Sequence, residues 1–151
     1  MTALLIFKDK SMTKRPGLHI ATIILAGMLV TAQAGSASAP LPASQVRHGF
    51  AVAQACEAEI DDDLTAYGEC IGHAMDRLPG QRLALLGIHF QAWLIADLAA
   101  RQGGVRAVQL RQRYQHLLQR SQRTTGWSIQ KLCEVKRLVC EPVKVRLQQK
   151  I

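Results

Sequence analysis

ACEAEIDDDLTAYGEC, Ala55 to Cys70, holds a run of acids between two cysteines in a chain that is otherwise basic. How this stretch is read decides the fold. Val46, Phe50, Ala53, Glu57, Ile60, Leu64, Tyr67, Ile71, Ala74 and Leu78 recur through it at steps of three and four, and only Glu57 interrupts the apolar stripe. That is the period of an amphipathic helix. The expectation is one long first helix, from Ser44 to just before Pro79-Gly80, with Gly68 as its kink point.

Downstream the same period continues. A second helix is predicted over Gln81–Gln102, carrying Leu83, Leu86, Phe90, Trp93, Leu94 and Leu98, and Gly103-Gly104 ends it. RLALLGIHFQAWLIADLAAR is apolar, but His89, Gln91 and Asp97 interrupt it, so it reads as a core helix rather than a membrane span. A third helix runs from Val105 to Arg123, and Thr124-Thr125-Gly126 is a turn. A fourth starts near Trp127 and stops before Pro142; only VKVRL near the end has any strand character. The class is all-α, a small three- or four-helix bundle.

The first residues have another character. Lys14 and Arg15 precede the apolar run GLHIATIILAGMLV, and TAQAGSASAP follows it. A positive n-region, a short h-region and an A-x-A box at Ala32-Gln33-Ala34 make a signal peptide. The division is 1–34 signal peptide, 35–43 flexible linker and 44–151 helical domain, with Met12 as an alternative start. Cleavage is placed after Ala34, because a cut after Ala39 would put Pro40 next; retention as an anchor is the alternative. The protein is therefore expected in the periplasm or secreted.

All four cysteines, Cys56, Cys70, Cys133 and Cys140, follow this segment, and an even count in a small exported domain implies disulfides. On unbroken helices Cys56 and Cys70 would be about 21 Å apart, and Cys133 and Cys140 about 10 Å. A disulfide needs Cα atoms within about 7 Å. Neither pair closes on itself unless its helix breaks. Continuous helices favour Cys56–Cys140 with Cys70–Cys133; the alternative is local closure of Cys56 with Cys70 across an irregular acidic loop.

Charge is unevenly spread. Ser44 to Ala100 carries three basic residues and eight acids; Arg101 to Ile151 carries twelve basic residues and two acids. Glu57, Glu59, Asp61, Asp62, Asp63 and Glu69 form a candidate face for a cationic protein, since opposite fields speed encounter and select the partner. Arg106, Arg111, Arg113, Arg120 and Arg123 form a candidate basic surface for anionic membrane or envelope polymers. Packing of the acidic half against the basic half is the plainer alternative. RAVQLRQRYQHLLQRSQR offers arginines but no base-reading motif, so nucleic acid is not an expected partner.

No catalytic motif is present: no G-x-S-x-G, H-E-x-x-H or phosphate loop. His48, His89 and His116 each lack a partner His or Cys at helical spacing, and His73 has only Cys70, three residues before it. The cysteine spacings are not those of zinc, redox or haem motifs. Asp61-Asp62-Asp63 lacks the glycine and closing glutamate of a calcium loop. The expectation is a non-enzyme with no catalytic residue, cofactor or metal.

The middle of the chain, Leu64 to Gly103, resembles the LprI-type periplasmic lysozyme-inhibitor domain. The resemblance rests on Cys56, on Leu64 and Tyr67, on the polar break Leu78-Pro79-Gly80-Gln81-Arg82, and on Gln91-Ala92-Trp93-Leu94 with Asp97. In place of the family's cysteine after that aspartate stands Ala99-Ala100-Arg101. The resemblance implies a helical, disulfide-bonded envelope protein that binds a host lysozyme, a cationic partner suited to the acidic face. LPGQRLALL also looks like the helix start of periplasmic stress and metal-resistance bundles, without their Met/His-rich tail. That second likeness implies a small, helical, exported protein. The basic C-terminal half carries the alternative role, a structural or chaperone-like envelope stress protein contacting membrane or a machinery partner.

Overall fold

The structure, a computed structural model, describes residues 41–149; the signal-peptide and cleavage expectations lie outside the described residues. Its elements are α1 (Pro42–Ala55), a 3-10 turn (Cys56–Glu59), α2 (Thr65–Asp76), α3 (Arg82–Ala100), α4 (Val105–Thr125), α5 (Ile129–Lys136) and α6 (Cys140–Gln148). The all-α class holds among the described residues, with no strand there, but six α-helices stand where three or four were expected, because the first and the last predicted helices each break in two.

α3 is the central element, packed between α1 and α4. Its length and mean hydropathy of 1.6 would suffice for a membrane span, yet 61% of that window is buried among the other helices. The crossing of α1 and α3 is made close by two glycines. A Cβ on Gly49 would collide with the carbonyl of Ala84, and one on Gly87 with the carbonyl of Val46. Trp93, Phe90, Leu86 and Ile88 of α3 are fully enclosed with Tyr67 and Ile71 of α2 and Tyr114 and Leu118 of α4.

The first helix is not continuous. α1 ends at Ala55, the chain tightens into the 3-10 turn, and an irregular segment follows before α2. Leu64 adopts a left-handed conformation, φ 62°, uncommon outside glycine and sustained here by burial of its side chain. Gly68 does not kink α2. It lets α4 approach, since a Cβ there would lie 3.4 Å from Leu110 Cδ2.

The C-terminal segment breaks too. Arg137 is left-handed, φ 61°, and closes α5. Pro142, expected as a terminator, lies in the first turn of α6, where a missing N–H breaks no intrahelical bond. VKVRL is helical. By contrast Gly126, at φ 71°, ends α4 at the predicted turn.

These breaks overturn the crosslinked cysteine pairing. Cys56 bonds Cys70, with Cα atoms 5.7 Å apart, and neither joins the C-terminal helix. Cys133 and Cys140 are buried free thiols rather than disulfide partners of the N-terminal pair. Burial, and then the neighbouring Cys140 thiol, push the Cys133 thiol up to about 12. Both local arrangements exist because the helix between each pair is interrupted, which cancels the separation that a continuous helix would impose.

Candidate functional site

The acidic stretch becomes a loop with its own internal order. Leu64 N–H donates to the Asp61 carbonyl at 3.3 Å, closing a turn. The Asp63 carboxylate accepts from Thr65 N–H at 2.9 Å, and Asp61 from Ala66 N–H at 3.3 Å. Two acids therefore satisfy the unpaired donors at the start of α2. The Thr65 backbone bond is the main reason the Asp63 carboxyl lies below its ordinary range; Arg106 adds a weaker pull. The disulfide ties the loop's entry to the second turn of α2.

The six sequence-predicted acids separate by role. Glu57 turns inward and is half-buried; its carboxylate accepts from Gln91 Nε2 of α3 at 2.6 Å. Glu59, Asp61, Asp62, Asp63 and Glu69 remain at the surface. Ile60 stands among them 46% exposed. The loop forms one wall of a cleft of about 540 Å³, and the α3–α4 turn with Arg106 forms the other. The acidic loop is thus partly balanced by one of the predicted basic residues.

The five basic residues do not form one surface. Arg106, Arg113, Arg120 and Arg123 are exposed along α4. Arg111 is buried, and its guanidinium donates to Asp97 Oδ1 at 3.3 Å. Placing Arg111 on the basic surface is therefore corrected: a carboxylate on α3 draws it into the core. Asp97 also pairs with Arg101 at 3.6 Å and with Arg146 of α6 at 2.7 Å. The Arg146 Nε is within ion-pair range but off the hydrogen-bond direction, so both its N–H and Asp97 Oδ2 lack a directed bond. One carboxylate thus meets three guanidiniums and joins α3, α4 and α6. Sequence patterning marks Asp97 as a polar break in an apolar helix with Arg101 one turn on; its buried partners, Arg111 and Arg146, come from other helices.

A buried Ser–His contact also lay beyond the sequence reading. His89 Nδ1 and Ser121 Oγ are 2.7 Å apart, and Nε2 lies 3.2 Å from Met75 Sδ. Burial lowers the imidazole pKa to about 4, so the ring is neutral near pH 7. Ser121 is itself buried, within α4, and the ring's other nitrogen faces a thioether rather than a carboxylate. That geometry satisfies a core histidine; it does not orient a nucleophile as an acid-supported triad does. His48, His73 and His116 are exposed. Among the described residues, no three His, Cys, Asp or Glu side chains are grouped so as to hold a metal ion.

Most residues that carry the family resemblance are interior, whereas its polar break, Pro79-Gly80-Gln81-Arg82, is exposed. Trp93, Tyr67, Gln91 and Asp97 are all buried. No family model matches the chain, and neither the curated proteins nor the solved structures include a match.

Proposed function

We propose that the protein is an exported, non-enzymatic binding protein whose acidic loop engages a cationic protein, with a lysozyme as the candidate target. One observation carries the reading: the Cys56–Cys70 disulfide fixes a loop that presents Ile60 amid Glu59, Asp61, Asp62 and Asp63. A fastened loop loses less conformational freedom on binding than a loose one. An apolar residue within a charged rim is the layout of a small protein-docking surface. The candidate contact residues are Glu59, Ile60 and Asp62, with Asp61 and Asp63 committed to capping α2. The test is retention of lysozyme by the immobilised oxidised protein, with a lysozyme activity assay beside it. Capture at low salt, release at high salt and loss of lysozyme activity support the reading. Indifference of lysozyme in both assays rejects it as the target.

A second reading rests on a different observation. Arg106, Arg113 and Arg120 recur every seven residues along α4, with Arg123 one turn further, and all four are exposed. Such a stripe suits an anionic membrane or an acidic machinery partner. Flotation with anionic vesicles, abolished when these four arginines are neutralised, would favour that reading.

A further inference from the structure

The connection between α5 and α6 leaves a notch of about 310 Å³ against α3. Leu94 and Leu98 of α3, Leu138 and Val139 of the connection and Val143 of α6 supply apolar walls. Leu98 is 50% exposed and Val139 78%, so part of this apolar surface is open to water. Arg101, Lys136 and Arg146 also line the notch, and none of its lining residues is acidic. Two carboxylates stand near it: Asp97, buried and already shared among Arg101, Arg111 and Arg146, and Glu57, which accepts from the lining Gln91 at 2.6 Å and acts on Lys136. Their two charges cannot neutralise the three guanidiniums and Lys136, and the notch keeps a positive excess.

We infer that this notch binds a single-chain amphiphilic carboxylate, its hydrocarbon chain on Leu94, Leu98, Leu138 and Val139 and its head group at Arg101 and Arg146. Three features select this occupant. The positive excess calls for an anionic head, and guanidinium groups hold carboxylates through paired hydrogen bonds. The notch lies at the small end of ligand pockets, which run from about 300 to 1,000 Å³, so it suits one chain rather than a two-chain lipid. Its walls are mostly helical, and helical backbone groups bond one another. An extended peptide would find no free sheet edge for its own amides, whereas a hydrocarbon chain has no such groups to satisfy. This inference does not depend on the acidic loop.

The test is calorimetric titration of the oxidised protein with decanoate below its micelle concentration, with 1-decanol as the uncharged probe. Saturable one-to-one binding is expected for decanoate, at least tenfold tighter than for decanol. Val139→Asp and Arg101→Gln are each expected to weaken it at least tenfold without changing the thermal melt, and Asp62→Lys to leave it unchanged. If Val139→Asp fails to fold, Arg101→Gln still decides the matter. Absence of saturable binding, equal affinity for decanol, or binding to phosphatidylglycerol vesicles with decanoate inert would each overturn the inference.

Discussion

Arg146 places its guanidinium Nε 2.7 Å from Asp97 Oδ2, and through that contact the last helix is tied to the middle of the bundle. Asp97 is 1% exposed, so the charges that meet there are largely removed from water. Breaking a buried pair by deleting one partner leaves the other charge uncompensated. Asp97→Ala is expected to cost about 3–5 kcal/mol in urea unfolding. Arg101→Ala, whose side chain is 51% exposed, is expected to cost under about 1 kcal/mol. Equal losses for the two would contradict this account of the cluster.

The α1–α3 crossing makes a sharper steric prediction. Gly87→Ala sets a methyl against the Val46 carbonyl, backbone that cannot swing aside. The expected loss is about 3 kcal/mol or more. Gly72→Ala in α2 meets nothing within 4 Å and is expected to stabilise by about 0.5–1 kcal/mol through helix propensity. Chemical denaturation of the two variants side by side checks both signs.

His89 should make stability depend on pH. Burial sets its folded pKa at about 4, below the ordinary histidine value of 6.5. Between those values the unfolded chain binds the proton and the folded chain does not. The contribution is therefore fully present above pH 6.5 and is lost as pH falls toward 4, by an amount on the order of 3 kcal/mol. In His89→Gln the melting temperature is expected to fall less between pH 7 and pH 4.5 than in the parent. An unchanged slope would remove His89 as the cause.

The two C-terminal thiols give a chemical prediction. Both are buried, and a thiol held near 12 has almost no thiolate at neutral pH. Alkylation of the folded protein is expected to be slow at Cys133. Denaturation without reductant is expected to release two titratable thiols per chain, both in the peptide that holds Cys133 and Cys140. A count of zero would mean that this neighbouring pair had oxidised to a second bridge.

Most helix positions were legible in the sequence, because Gly103, Gly126 and the apolar spacing of α3 and α4 act locally. The break inside the first predicted helix was not. Ile60 and Leu64 keep the three-and-four spacing straight through the acidic loop, so the periodicity gives no sign of interruption. The available signal was Asp61 and Asp63 just ahead of Thr65, acids at the cap of a new helix. Pro142 misled in the opposite sense, since proline suits a first turn as well as it ends a helix. The Asp97 contacts with Arg111 and Arg146, the His89–Ser121 contact and the Gly49–Gly87 crossing join separate helices, and spacing within one helix cannot announce them. Of the acidic face, the residue types were legible, while the inward turn of Glu57 and the capping by Asp61 and Asp63 required the fold.

The disulfide links stability to the proposed binding. Cys56 and Cys70 are 14 residues apart in sequence, and removing a bridge over a loop of that size is expected to cost about 3 kcal/mol. The double variant Cys56→Ser/Cys70→Ser is expected to stay helical by circular dichroism while the acidic loop loosens and affinity for a cationic partner falls.

The most direct test of the central claim is the affinity of the oxidised protein for lysozyme at low and high ionic strength, measured by biolayer interferometry for the parent and for Glu59→Lys/Asp62→Lys. These two acids face solvent, apart from the Asp61 and Asp63 caps, so the double variant should fold as the parent does. The account predicts binding that weakens with salt and drops at least tenfold in the double variant. Binding of equal strength in both proteins, unmoved by salt, would contradict it.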